Sequence, residues 1–165
     1  MIESINTRKK IEADLMELKR MVYRMGRLSG EALDRAVWAL KERDIAAAEA
    51  VLEKDDMIDD LEDEVDNACM EFAARYQPLG EDLRVVTSIM HIAVDLERIG
   101  DYGGNIAKVA IELADKEPIK PLIDIPCMVE KINMMLNTSL IAIDTHSPET
   151  AVSVFHMDDD VDDLE

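Results

Sequence analysis

The sequence is poor in the residues that build sheets, disulfide frameworks and thiolate metal sites. Aromatic residues make up 4% of its 165 positions, and there are only six Gly, five Pro and one Trp. So few turn formers and β-favouring side chains point away from a sheet protein and towards long helices. Cys69 and Cys127 are too few and too far apart for a disulfide framework or a zinc site, so both are expected as free thiols in a reducing compartment. The N-terminus lacks a secretory pattern, and no apolar run approaches the ~20 residues that span a bilayer. A cytoplasmic chain without an integral membrane segment is expected. Lys and Arg number 18 against 37 Asp and Glu, for a net charge of −19, and this shortage of positive charge argues against a nucleic-acid partner. There is no Gly-rich phosphate loop, nucleophile elbow, Ser/His/Asp arrangement or Glu-x-x-His pair of the ferritin-like type, so no catalytic residue is assigned. His91, His146 and His156 read as structural or surface groups.

Hydrophobic residues account for 48% of the chain, enough for a real core. The eleven Met read as core filling. Charge is uneven: residues 44–66 hold eleven acids and one Lys, and residues 156–165 hold six acids and no base, whereas residues 1–43 carry ten bases and seven acids. An anionic contact, including a membrane surface, would use the first segment.

Leu15, Val22, Met25, Ser29, Leu33, Ala36 and Leu40 recur at helical spacing and predict one long helix from Ile5 to about Arg43, with Gly26 and Gly30 as points of close approach. Asp44 is a natural N-cap for a second helix running to Tyr76, which places Ala47, Val51, Ile58, Leu61, Val65, Cys69 and Phe72 on one side. After Pro78 a third helix is expected from Leu79 to Asp115, closed by Pro118 and Pro121. Short connections make these three an antiparallel bundle. A fourth helix follows over 125–145, and a fifth begins at Glu149 after Ser147 and Pro148.

The last two helices repeat the first two. An offset of 103 lays Ala151, Val154, Asp158, Asp159, Asp162, Asp163, Leu164 and Glu165 on Ala48, Val51, Asp55, Asp56, Asp59, Asp60, Leu61 and Glu62, and Met128, Leu136, Ala142 and Ile143 on Met25, Leu33, Ala39 and Leu40. The chain divides accordingly into a complete three-helix repeat, residues 1–118, and a partial second repeat, residues 119–165. If the second repeat is as long as the first, the counterpart of the third helix is expected to lie beyond Glu165. The apolar faces of the last two helices are expected to be open unless another chain covers them.

The chemistry-bearing residues are acids. On the third predicted helix Leu79, Leu83, Val86, Met90, Ala93, Val94, Glu97 and Asp101 point within about 60° of one another, so two carboxylates continue an apolar stripe. Buried without neutralisation they cost several kcal/mol or more, and Arg98 projects away from Glu97. On the second predicted helix Asp55, Asp59, Glu62 and Asp66 form a stripe beside the apolar face, while Asp56, Asp60 and Asp63 point outward as a solvated face. Antiparallel packing brings Asp55 and Asp59 opposite Glu97 and Asp101. Carboxylates so grouped are held most simply by a multivalent cation, and an all-oxygen set suits Mg, Ca, Mn or iron better than copper. Gly100, Gly103 and Gly104 then serve close helix approach beside the acids. Two other readings stay open: an acidic scaffold that binds partners without metal, and a carboxylate-bridged metal enzyme acting on phosphate esters or oxygen.

Asp55-Asp56-Met57-Ile58-Asp59, then Gln77-Pro78-Leu79-Gly80-Glu81-Asp82-Leu83-Arg84, then Leu96-Glu97-Arg98-Ile99-Gly100-Asp101 with Asn105-Ile106-Ala107 resemble, in order and spacing, the PhoU family of phosphate-uptake regulators. The resemblance implies an all-α protein of repeated three-helix bundles with metal-binding acidic motifs. It assigns Asp55, Asp59, Glu97 and Asp101 to a first site and Asp158 and Asp162 to half of a second, with Glu62 and Asn105 as additional shell. It further implies iron as the metal, with Zn, Mn, Mg or Ca as alternatives, and a non-enzymatic regulator that meets the phosphate transporter ATPase and a phosphate-sensing histidine kinase at the inner face of the membrane. A homodimer is expected on the same ground.

Overall fold

The computed structural model describes residues 2–118 and 120–164, with side chains from Asn6 onward, so Glu165 and its match to Glu62 lie outside the described residues. Six helices follow one another: α1 (Ile2–Glu42), α2 (Ile45–Leu52), α3 (Asp56–Tyr76), α4 (Glu81–Leu113), α5 (Asp124–Thr145) and α6 (Pro148–Asp162). No strand occurs among the described residues, in agreement with the all-α reading. α1 is the central rod, packed on α4, α5, α3 and α2.

The helix ends follow from local chemistry. α1 closes at Arg43, which takes a left-handed backbone (φ 59°) while the Asp44 N–H donates to the Ala39 carbonyl at 3.0 Å. Asp44 then caps α2 by accepting from the Ala47 N–H at 3.0 Å. The turn between α5 and α6 is built the same way 103 residues later. His146 is left-handed (φ 50°), Ser147 N–H reaches the Ala142 carbonyl at 3.2 Å, and Ser147 Oγ accepts from the Thr150 N–H at 3.1 Å ahead of Pro148. The internal repeat is thus a repeat of turns as well as of residues. At the start of α4, Gly80 adopts φ 59° and ψ −118°, which a side chain would strain.

Three expectations need correction. The single helix expected from Asp44 to Tyr76 is two, α2 and α3, broken over residues 53–55, where Lys54, Asp55, Met57 and Ile58 donate three residues back instead of four. The break lets Val51 pack among Ala36, Ala39, Ala48, Ala107 and Ala110 while Ile58 enters the main core beside Leu61, Val65, Val86, Ile89 and Leu96. The buried stripe of α4 is also rotated from the one expected. It runs through Val86, Ile89, Ala93, Leu96, Gly100, Gly103, Gly104, Ala107 and Ala110, whereas Leu79 and Val94 are exposed and Glu97 and Asp101 stand at its margin. A count of large apolar side chains misplaces a face made partly of glycine. Finally, among the described methionines only Met25 is fully buried; Met16, Met57, Met70 and Met134 face solvent.

The second segment sits on the first along α1. A Cβ on Gly26 would lie 2.8 Å from Leu140 Cδ1, one on Gly30 would lie 2.7 Å from Asn133 Oδ1, and the Tyr23 hydroxyl donates to the Leu140 carbonyl at 2.7 Å. Val129, the counterpart of Gly26, clusters with Leu33 and Val37, and Leu140 is the counterpart of Val37. Gly26 with Leu140 and Val37 with Val129 are therefore one pair with the roles exchanged, so α1 and α5 cross about a local two-fold. Cys69 is buried and Cys127 half-buried, both free thiols.

Candidate metal centre

α3 and α4 approach closely because α4 carries small residues where they meet. A Cβ on Gly100 would lie 2.7 Å from Ile58 Cδ1, and one on Gly104 would lie 2.8 Å and 3.1 Å from the two carboxylate oxygens of Asp55. On the far side Gly103 abuts the backbone of α1, where a Cβ would stand 3.0 Å from the Ala32 carbonyl carbon. The three glycines thus serve the close approach expected of them. Gly100 and Gly104 let α4 bring Glu97 and Asp101 within reach of α3, while Gly103 lets α4 close on α1.

Asp59, Glu97 and Asp101 each offer a carboxylate oxygen, and these three lie within 4.8 Å of one another. Glu97 is half-buried; Asp59 and Asp101 are exposed at the mouth. Asp55 stands beside the trio, its carboxylate over Gly104 one turn further along α4. Glu62 is half-buried on α3 near Glu97, and Asn105 is exposed one turn beyond Asp101. Among the described residues no Lys or Arg forms a salt bridge with Asp55, Asp59, Glu97 or Asp101; Lys108 and Arg98 stand closest in effect. Lys108 was not singled out from the sequence, although its place one turn after Gly104 puts it on the face turned towards Asp55.

The electrostatics follow from this crowding. Burial raises the Asp55 carboxyl above its ordinary value, with Asp101 and Asp59 adding repulsion and Lys108 opposing them. Burial and then Asp101 raise Asp59, and burial, Asp101, Glu62 and Asp59 raise Glu97 against a small opposing pull from Arg98. These acids hold protons more tightly in the fold than in the unfolded chain. Two oxygens on opposite sides of one hard cation, bound at roughly 2.1–2.4 Å, stand roughly 4.2–4.8 Å apart. The donor chemistry and spacing of the trio therefore fit an oxygen-coordinated cation, with Asp55 adjacent.

Asp158 and Asp162 occupy the equivalent places on α6, and both are exposed. No carboxylate from another helix joins them in a comparable group among the described residues. The outward set Asp56, Asp60 and Asp63 is exposed, as are His91, His146 and His156.

Residues 22–110 match the model of the PhoU domain family. A protein of Aquifex aeolicus named as a phosphate-specific transport system accessory protein PhoU homolog is 40% identical over 155 residues, covering 94% of this chain and 70% of the relative. A Clostridium acetobutylicum protein of the same name is 36% identical, covering 96% of this chain and 73% of its own length. Among solved structures, PhoU from Pseudomonas aeruginosa superposes with a TM-score of 0.86 at 32% identity, over 93% of this chain and 74% of that one. The phosphate transport system regulatory protein PhoU from Streptococcus pneumoniae does so with a TM-score of 0.85 at 29% identity, over 93% and 72%.

Proposed function

Because the chain belongs to the PhoU family, we propose that it is an accessory regulator of phosphate-specific transport, a non-enzymatic helical adaptor whose acidic centre holds a metal ion. The observation that carries the metal reading is the convergence of Asp59, Glu97 and Asp101 from two helices with no base bonded to them among the described residues. Asp55, Asp59, Glu97 and Asp101 would hold the ion, with Glu62 and Asn105 as outer partners; iron is the first candidate, with Zn, Mn, Mg and Ca as alternatives. Bound there, a cation supplies positive charge that offsets the mutual repulsion of the acids and ties α3 to α4. It thereby fixes the surface those helices offer to a partner.

Asp158 and Asp162 would act only with ligands from a further helix. The partners that suit this reading are the phosphate transporter ATPase and a phosphate-sensing histidine kinase, met at the cytoplasmic face of the membrane, and self-association as a homodimer belongs to the same proposal. No described helix is long and apolar enough to cross a membrane, so such a meeting would be peripheral.

The test is metal content and melting temperature of the chain against Glu97→Ala plus Asp101→Ala. The doubly substituted chain is expected to purify without metal and to lose the rise in Tm that added metal gives the parent. Equal metal content and an equal rise would leave an acidic scaffold instead. Co-purification of the transporter ATPase with metal-loaded parent, but not with the variant, is the matching expectation for the partner.

A further inference from the structure

The break between α2 and α3 leaves a recess over α1. Both helices rest on α1, but Val51 before the break joins one hydrophobic cluster and Ile58 after it joins another. Between them lies a cavity of about 90 Å³ whose apolar walls are Leu28 and Ala32 of α1, Val51 and Ile58, with Met57, 43% exposed, at its edge. Such walls hold water poorly, because an ordered water needs about two to four polar partners. A cavity of about 150 Å³ accommodates benzene, so this smaller one suits a short aliphatic group.

Charge at the mouth narrows the ligand further. Four charged side chains border the recess, and two of them are engaged elsewhere: Glu31 accepts from Arg27 Nη1 at 2.6 Å, and the Asp55 carboxylate leans across to Gly104. The other two are Arg35 and Lys54, both exposed and neither in a salt bridge among the described residues. Lys54 is the one base in the acid-rich stretch 44–66. The counterparts of this pair 103 residues on are Thr138 and Met157, so the second hairpin folds without bases at these positions. We propose that the recess binds a small amphipathic anion, an aliphatic group of about four carbons seated among Leu28, Ala32, Val51 and Ile58 with its oxyanion head, a carboxylate or phosphate monoester, held by Arg35 and Lys54. The planar guanidinium fork of Arg35 matches either head. The site needs no bound ion and neither Glu97 nor Asp101, so it stands independently of the metal reading.

The probes are isovalerate and isobutyl phosphate, which share one branched tail, titrated into methyl-labelled intact protein with chelator present so that no ion at the acidic centre binds them. Saturable shifts of the Ile58 δ1-methyl and Met57 ε-methyl signals are expected with at least one probe, in the millimolar range that suits so few atoms, and the tighter probe identifies the head. Isobutylamine, the same tail with the charge reversed, is expected to leave these signals in place, and acetate or inorganic phosphate to bind about tenfold more weakly than its tailed partner. Arg35→Gln plus Lys54→Gln is expected to weaken binding about tenfold or more, and circular dichroism verifies that the chain remains folded. No saturable shift with either probe would overturn the proposal, and so would binding that the double substitution leaves unchanged. Isobutylamine binding as tightly as the anions, or inorganic phosphate as tightly as isobutyl phosphate, would overturn it as well.

Discussion

α2 and α6 leave the same kind of turn, a left-handed residue followed by a capping Asp44 or Ser147, yet α2 stops at Leu52 while α6 runs unbroken through the equivalent positions to Asp162. The acids around the break are shared: Asp55, Asp56, Asp59 and Asp60 recur as Asp158, Asp159, Asp162 and Asp163. Charge near a helix terminus does not by itself end the helix. What differs is that α2 and α3 wrap α4, with Val51 on one side of the break and Ile58 seated on Gly100 on the other, whereas among the described residues α6 packs on α5. The break belongs to tertiary packing, and so does the acidic centre, because the glycines that admit Ile58 and Asp55 also bring Glu97 and Asp101 alongside α3.

The contrast between the two copies can be pressed at matched positions. The largest effect is expected from Gly103→Val, where even a Cβ would stand 3.0 Å from the Ala32 backbone, which cannot swing aside as a side chain tip can. A loss of about 3 kcal/mol is expected in urea unfolding. Phe155→Ala, at an exposed position on α6, is expected to cost less than about 0.5 kcal/mol. A Gly103→Val chain as stable as its parent would mean that α4 is free to shift on α1.

Next come the paired truncations. Val51→Ala removes two buried methyl groups and is expected to cost about 1.5–2 kcal/mol, and Val154→Ala less than about half that. Equal costs would show that Val154 is covered in solution.

The smallest effect is a pH trend. Because Asp55, Asp59 and Glu97 have raised pKa values in the fold, the stability tied to their protonation is fully present at low pH and is lost as pH rises through their raised values. Metal-free protein is therefore expected to gain Tm from this site as pH falls from neutral into the carboxylate range. With saturating cation the trend should reverse, since protons then compete with the ion. Glu97→Gln should flatten both trends, and a metal-free profile that instead falls from neutral downward and is unchanged in Glu97→Gln would count against crowding at the site.

Much of this was legible in the chain. The apolar periodicity of α1, the Asp44 cap, the offset of 103 and the pairing of acids across α3 and α4 all follow from local spacing and short connections. The break at residues 53–55 was not, because it answers to α4, which lies far off in sequence. Nor was the true inner face of α4, since Gly100, Gly103 and Gly104 mark contact by having no side chain to count. The position of Asp55 was half legible: spacing puts it opposite α4, but only the packing sets it over Gly104, next to the trio.

The crossing of α1 and α5 at Gly30 and Asn133 has one more consequence. A seam in which each position meets near its own duplicate has the form of a homodimer contact joined into one polypeptide by the stretch from 114 to 123. Separated from its second half, a fragment ending at Pro118 would expose Gly26, Gly30, Leu33 and Val37, and two such fragments are expected to sediment as a pair, restoring across two molecules the contact the intact chain makes within one. A fragment that sediments singly would show that Asn133 and Leu140, and not the glycines, decide that seam.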